Sequence, residues 1–324
     1  MPSQANLAID WRAGYGPIAH RSETIERMQA LVQRLVAQRR IADEASAHAL
    51  LAAADRVACT AMSVVAHMTY ARRIDRSGCP LGSDDFKQTP EGHTGGSLNM
   101  VPAFVGYLLA NALTGTTRGW LMGQGHCVAA IEAVNALTGD VSAAQRGRYD
   151  RSEAGLSRLI ADFYSYAIDK QGRPAVPLGS HAGPNTAGAI SEGGYLGFAG
   201  LQYVHTPLPG ESLVAFLSDG AFEEQRGSDW APRWWRAEDC GFAIPVMILN
   251  GRRIEQRTQI VQEGGATWLA EDLRHNGFDP VIVDGRDPMA IAWAIVEAED
   301  TLSAFAARSD RRYPVKLPYV IAET

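Results

Sequence analysis

Strands alternating with helices, closing into a doubly wound parallel sheet of the α/β class, are what this chain predicts, on three observations. Residues 213–218 and 244–249 are short unbroken apolar runs, the pattern of parallel strands buried on both faces. Each run delivers a polar side chain and a glycine to its end, Ser218-Asp219-Gly220 in one case and Asn250-Gly251 in the other. Stretches of helical length separate these runs from each other and from a last strand at 318–322.

Taken in order, residues 1–20 hold Gly14, Gly16 and Pro17 and are expected as an extended arm. Ser22 is expected to cap a helix with Glu23 and Glu26 in its first turn and Arg39 and Arg40 at its end, the polarity a helix dipole favours. Ile25, Met28, Leu31, Val32, Leu35 and Val36 recur at intervals of three and four and give it one packed face. A second helix over 43–73 is rich in alanine and leucine and reads as scaffold. Residues 1–75 are thus expected as an arm and helices packed on a domain of residues 76–324.

Two glycine-histidine turns follow. Pro90-Glu-Gly-His93-Thr-Gly-Gly96 leads into an apolar helix over 100–113, and Trp120-Leu-Met-Gly-Gln-Gly125-His126 reads as a short buried run leading into a helix over 128–137. Glycines let backbone approach a ligand closely, and a histidine at a helix mouth is placed to meet one. Asp219 and Asn250 then arrive side by side at the carboxyl edge of the sheet, where open α/β sheets bind ligands. Hard oxygen donors suit Mg²⁺, which completes its shell with phosphate oxygens and water, so the implied ligand is a diphosphate. A helix near 267–275, a strand at 281–283 and a helix over 288–308 complete the alternation.

These motifs, with Ser180-His181 and the run Glu192-Gly193-Gly194-Tyr-Leu-Gly197, resemble the phosphoketolase and transketolase family in type and in order over residues 90–254. The resemblance implies a thiamine-diphosphate fold of the diphosphate-binding (PP) type, with thiamine diphosphate and Mg²⁺ as cofactors. It implies Asp219 and Asn250 as metal ligands through side chains, Arg252 through its backbone carbonyl, and Gly125, Glu192, Gly193, Gly194 and Gly220 beside the cofactor. His93, His126 and His181 would line the reacting centre as hydrogen-bonding and proton-transferring groups near neutral pH, and Glu223 or Glu224 would support the metal region. The family's second, pyrimidine-binding domain is not found in residues 1–324, which implies one half of a split enzyme completed by a second chain, in a homodimeric or larger assembly. The chain departs from the family at Ser218, Ser191, Ala231 and Arg252, where a glycine, two histidines and a tyrosine are usual; the second and third put acetyl phosphate formation in doubt.

The implied reaction is cleavage of a carbon–carbon bond beside the ketone of a ketose phosphate such as xylulose 5-phosphate. Two other readings stand beside it: a pentulose-phosphate 3-epimerase using the histidines alone, and a non-catalytic structural or regulatory partner. A net charge of −6 with dispersed arginines argues against nucleic acid as a partner. The cysteines, Cys59, Cys79, Cys127 and Cys240, lack metal-site spacing and are expected as thiols. No targeting segment and no apolar run of membrane length is expected, which points to a cytoplasmic protein.

Overall fold

The computed structural model describes residues 10–173, 175–176, 207–224, 235–253 and 256–324. Five parallel strands form one sheet: β1 (Gly119–Met122), β2 (Ser212–Ser218), β3 (Phe242–Leu249), β6 (Phe278–Asp284) and β7 (Leu317–Glu323), in the order β1-β2-β3-β7-β6. Between β3 and β6 stands a small antiparallel ribbon, β4 (Arg252–Arg253) with β5 (Gln256–Arg257). The helices are α1 (Ser22–Ala37), α2 (Glu44–Tyr70), α3 (Thr94–Thr114), α4 (Val128–Thr138), α5 (Ala143–Arg146), α6 (Glu153–Asp162), α7 (Asp219–Glu224), α8 (Gln259–Glu263), α9 (Ala266–His275) and α10 (Pro288–Ala306).

The apolar runs are buried on both sides because successive side chains enter two different cores. Val214 and Phe216 of β2, Ile244, Val246 and Ile248 of β3 and Val320 of β7 join the core built by α1, α2, α3, α4 and α10. Ala215, Leu217, Met247, Tyr319 and Ile321 face the other way, onto Leu269, Ala270 and Leu273 of α9. A right-handed crossover stepping outward from β3 to β6 and another stepping back to β7 must lie on opposite faces, as α9 and α10 do.

Several boundaries differ from expectation for physical reasons. Helix α1 begins at Ser22, but its N-cap is Arg21 in extended conformation and no side chain caps it, so Ser22 is not the cap. It ends at Ala37, and Arg40 beyond it donates to the Thr114 carbonyl at 3.0 and 3.2 Å, bracing the end of α3 rather than completing its own helix. Helix α3 starts at Thr94, directly after His93, and not near residue 100. Strand β1 is not buried: it lies at the sheet edge and leaves Trp120 37% exposed. By length and composition α2 and α3 are both apolar enough to cross a membrane, against the expectation that no segment would be. In α3, 67% of that apolar window is buried, and in α2 44%; a helix that is hydrophobic all round packs in a core.

Helices α3 and α10 cross tightly at Gly106, where an added Cβ would stand 2.7 Å from the Pro288 carbonyl oxygen and 2.9 Å from Ile291 Cβ. The arm is pinned to the same helix pair. His20, fully buried, donates from Nε2 to Asp55 Oδ2 of α2 at 3.0 Å and sets Nδ1 3.1 Å from Oδ1 of Asp287, the residue that caps α10 by accepting from Met289 N at 2.9 Å. Burial alone would lower the His20 pKa, but the contacts to Asp287 and Asp55 outweigh it and raise it to about 10.

A histidine raised from 6.5 to about 10 contributes stability that is complete below 6.5 and is lost as pH rises toward 10. The melting temperature, followed by circular dichroism, is expected to fall over that window. His20→Gln is expected to cost about 3 kcal/mol at pH 6.5, because two buried carboxylates lose their partner, and to flatten the alkaline slope.

Candidate active site

The carboxyl ends of β2 and β3 are joined by one side chain. Asp219, 1% exposed, accepts at Oδ1 from the Gly220 N–H at 3.0 Å and at Oδ2 from the Gly251 N–H at 2.8 Å and the Thr258 hydroxyl at 3.2 Å. Gly251 has φ +70°, and a Cβ there would meet Val261 Cγ2 at 2.6 Å, so only glycine presents its N–H to Asp219 in this way. Burial raises the Asp219 pKa to about 6, against the hydrogen bonds from Gly251, Thr258 and Gly220 that favour its ionised form. Among the described residues no cation pairs with it.

Hard oxygens gather at this carboxylate. Asn250, at the end of β3, accepts the Arg252 N–H at its Oδ1 at 2.9 Å, a turn that carries the chain back toward α7. The Arg252 carbonyl oxygen lies 3.8 Å from the point a Cβ on Gly220 would occupy. A buried carboxylate lacking a counter-charge, an amide oxygen on the next strand end and a carbonyl facing the first turn of α7 form a donor set that fits Mg²⁺. No cluster of three or more His, Cys, Asp or Glu that could hold a metal occurs among the described residues.

One strand along, β1 exits through Gly123, whose N–H reaches the Phe216 carbonyl of β2 at 2.8 Å, and the chain turns through Gly125 and His126 into α4. The Gly125 N–H is directed at the Gly123 carbonyl at 3.0 Å, so this residue contributes a tight turn rather than a free donor. The rings of His126 and His93 meet edge to face with centroids 4.8 Å apart. Gly96 makes room for this: a Cβ there would lie 3.1 Å from His126 Nε2 and 3.0 Å from Cys127 Sγ. Burial, and then the neighbouring charge of His93, lowers the His126 pKa to about 4. His126 is therefore neutral throughout the physiological range, which corrects the expectation that it exchanges protons near neutrality. Its Nδ1 is buried without a hydrogen-bond partner.

Asp219, Gly220, Asn250, Arg252, His93 and His126, which the sequence nominates, lie along one edge of the sheet. His181, Glu192, Gly193, Gly194, Ser191 and Ala231 lie outside the described residues. Glu223 accepts the Ile260 N–H at 2.6 Å and lies 3.8 Å from Arg253, tying α7 to α8 and to the ribbon beside Arg252. Two residues were missed. Thr258, fully buried, is a second anchor of Asp219, and Tyr164 underlies the first histidine turn. Its ring would be struck at 2.3 Å by a Cβ on Gly92, and its hydroxyl hydrogen-bonds the His93 backbone.

A doubly wound sheet with a buried carboxylate and an imidazole pair at adjacent strand ends defines a ligand-binding α/β domain. The chain matches the XFP N-terminal domain over residues 46–307, and it belongs to that family. A probable phosphoketolase of Streptomyces coelicolor is 32% identical over 160 residues, 47% of this chain and 18% of that protein. A probable phosphoketolase of Pseudomonas putida is 27% identical over 232 residues, 69% of this chain and 27% of that one. Probable phosphoketolase 2 of Lactiplantibacillus plantarum is 27% identical over 229 residues, 68% of this chain and 27% of its own length. The chain thus spans less than a third of the curated relatives it matches.

Two outcomes follow from this geometry. In an NMR titration His126 is expected to protonate with a midpoint near 4, and in His93→Ala that midpoint rises but stays below 6.5, because burial is the larger cause. Gly92, with φ +123°, is expected to reject any side chain: Gly92→Ala should lose about 2 kcal/mol in denaturant unfolding and perturb the His93 and His126 resonances.

Proposed function

We propose that this chain forms the magnesium- and diphosphate-holding part of a thiamine-diphosphate-dependent, phosphoketolase- or transketolase-like enzyme acting on ketose phosphates such as xylulose 5-phosphate. The observation that carries this reading is Asp219, a buried carboxylate with no cation partner among the described residues, fastened between two strand ends beside Asn250 and the Arg252 carbonyl. Family membership and relatives named as probable phosphoketolases point the same way.

In this reading Asp219 and Asn250 hold Mg²⁺ by their side chains and Arg252 by its carbonyl. The divalent ion compensates the charge that burial leaves exposed to a low dielectric. Thiamine diphosphate, when bound, supplies an electron sink for cleavage of the carbon–carbon bond beside a ketone. The chain's own residues position the sugar. His126, neutral at working pH, keeps a buried Nδ1 that has no hydrogen-bond partner among the described residues, and His93 packs edge to face against the same imidazole. Tyr164 fixes the His93 turn from beneath and keeps the pair from splaying.

Calorimetric titration with thiamine diphosphate, with and without Mg²⁺, tests the reading. Binding is expected to require Mg²⁺ and to weaken at least about a hundredfold in Asp219→Asn, with the fold of the variant checked by circular dichroism. Because the Asp219 carboxyl is raised from 3.8 to about 6, it is ionised at pH 8 and mostly protonated at pH 5, so Mg²⁺ should raise the melting temperature at the higher pH and not at the lower. Equal thiamine diphosphate binding by wild type and variant would sink the assignment.

A further inference from the structure

Beside the histidine turn lies a cavity of about 400 Å³ that none of the roles above uses. Its polar lining is Arg72, Lys87, Gln88, Thr89, Ser165 and Glu91, and Phe163 and Tyr164 complete the wall. Arg72 and Lys87 bring two positive charges to one concavity, with two hydroxyls and an amide around them. The contrast with the adjacent Arg73 is informative: Arg73 is paired with Asp75 and Asp85, whereas Arg72 and Lys87 make no ion pair among the described residues.

Lys87 is anchored rather than free. Its ammonium donates to the Met68 carbonyl at the end of α2 at 2.5 Å and to the Phe163 carbonyl at 3.4 Å, which leaves a third N–H for a ligand. Burial lowers its pKa, with the charge of Glu91 opposing that shift and the charge of Arg72 adding to it. Glu91, the one acid in the lining, is hydrogen-bonded to Tyr166. A half-buried ammonium beside a guanidinium, fixed in place by main-chain carbonyls, is a site that an anion completes.

The cavity and the first histidine turn share one residue as a common wall. Tyr164 lines it, packs against Gly92 and hydrogen-bonds the His93 backbone. A ligand with its anionic end at Arg72 and Lys87 therefore shares a wall with the turn that presents His93. The volume exceeds what a bare phosphate fills and suits a phosphorylated small sugar.

We propose that this cavity is a phosphate-binding subsite, with Arg72 and Lys87 gripping the phosphate group and Thr89 and Gln88 hydrogen-bonding its oxygens. The phosphate belongs either to the ester of a sugar phosphate, which rests on the function proposed above, or to free inorganic phosphate.

Calorimetry on the full chain separates these, using xylulose 5-phosphate, unphosphorylated xylulose and inorganic phosphate as probes. Wild type is compared with Arg72→Gln, a change at an exposed side chain, and with Lys87→Met. Xylulose 5-phosphate is expected to bind wild type and to weaken about tenfold or more in each variant, because each removes one charge-assisted contact. Xylulose alone is expected to bind weakly in all three proteins. Inorganic phosphate that binds with the same variant dependence as the ester, and competes with it, identifies the free ion as a ligand of the subsite. Thiamine diphosphate with Mg²⁺ is titrated in parallel and should be unaffected by Arg72→Gln, so that loss of cofactor binding in wild type with retained phosphate binding removes the thiamine reading and leaves the subsite. Unchanged ester and phosphate affinity in both variants, or no binding of either to wild type, overturns the proposal.

Discussion

The carboxylate of Asp219 is the constraint on which the functional edge of this protein depends. It is taken out of water at the end of β2 and spends its hydrogen-bonding capacity on the exit of β3, through Gly251 and Thr258. The two strand ends are thereby held in one register, and the side chain of Asn250 and the carbonyl of Arg252 are delivered to the same place. Among the described residues no counter-charge meets this carboxylate. Three donors partly offset the desolvation of one negative charge, and its pKa remains raised to about 6. A cation at this point would serve the fold and the ligand at once.

The imidazole pair is built on a different principle. His93 and His126 come from separate helix starts and meet because glycines occupy the positions where side chains would hold the backbones apart: Gly96 above the His126 ring, Gly92 above Tyr164. Burial costs His126 its charge. The burial that brings the rings together disfavours the imidazolium of His126, so it serves as a polar surface of fixed character rather than as a titrating acid.

Much of this was legible in the chain, and the limits have physical causes. Strands β2, β3 and β7 are buried on both faces, so their apolar runs are uninterrupted and announce themselves; β1 is an edge, and its mixture of Gly119, exposed Trp120 and Met122 carries a weaker signal. Asp219 and Asn250 were found because a strand end followed by glycine has a local signature. Thr258 and Tyr164 have none: each is a single residue that reaches its partner across tens of intervening residues, and nothing in the spacing marks it. The protonation of His126 was misjudged because histidine identity sets only the unperturbed value, whereas burial decided the outcome. Ser22 has the chemistry of a cap, yet the chain enters α1 one residue earlier, at Arg21.

The crossing of α3 and α10 at Gly106 gives the long central helix a mechanical character. Gly106 and His93 belong to one helix, roughly 20 Å apart at the rise of an α-helix, with Pro102 between them. A close-packed helix does not absorb a lateral push at the contact; it tilts, or bends at the proline, and the end farthest from the contact travels most. A methyl group added at the crossing would therefore be felt as a displaced imidazole, and a screen scored on turnover alone would rank this remote glycine beside residues that touch the ligand.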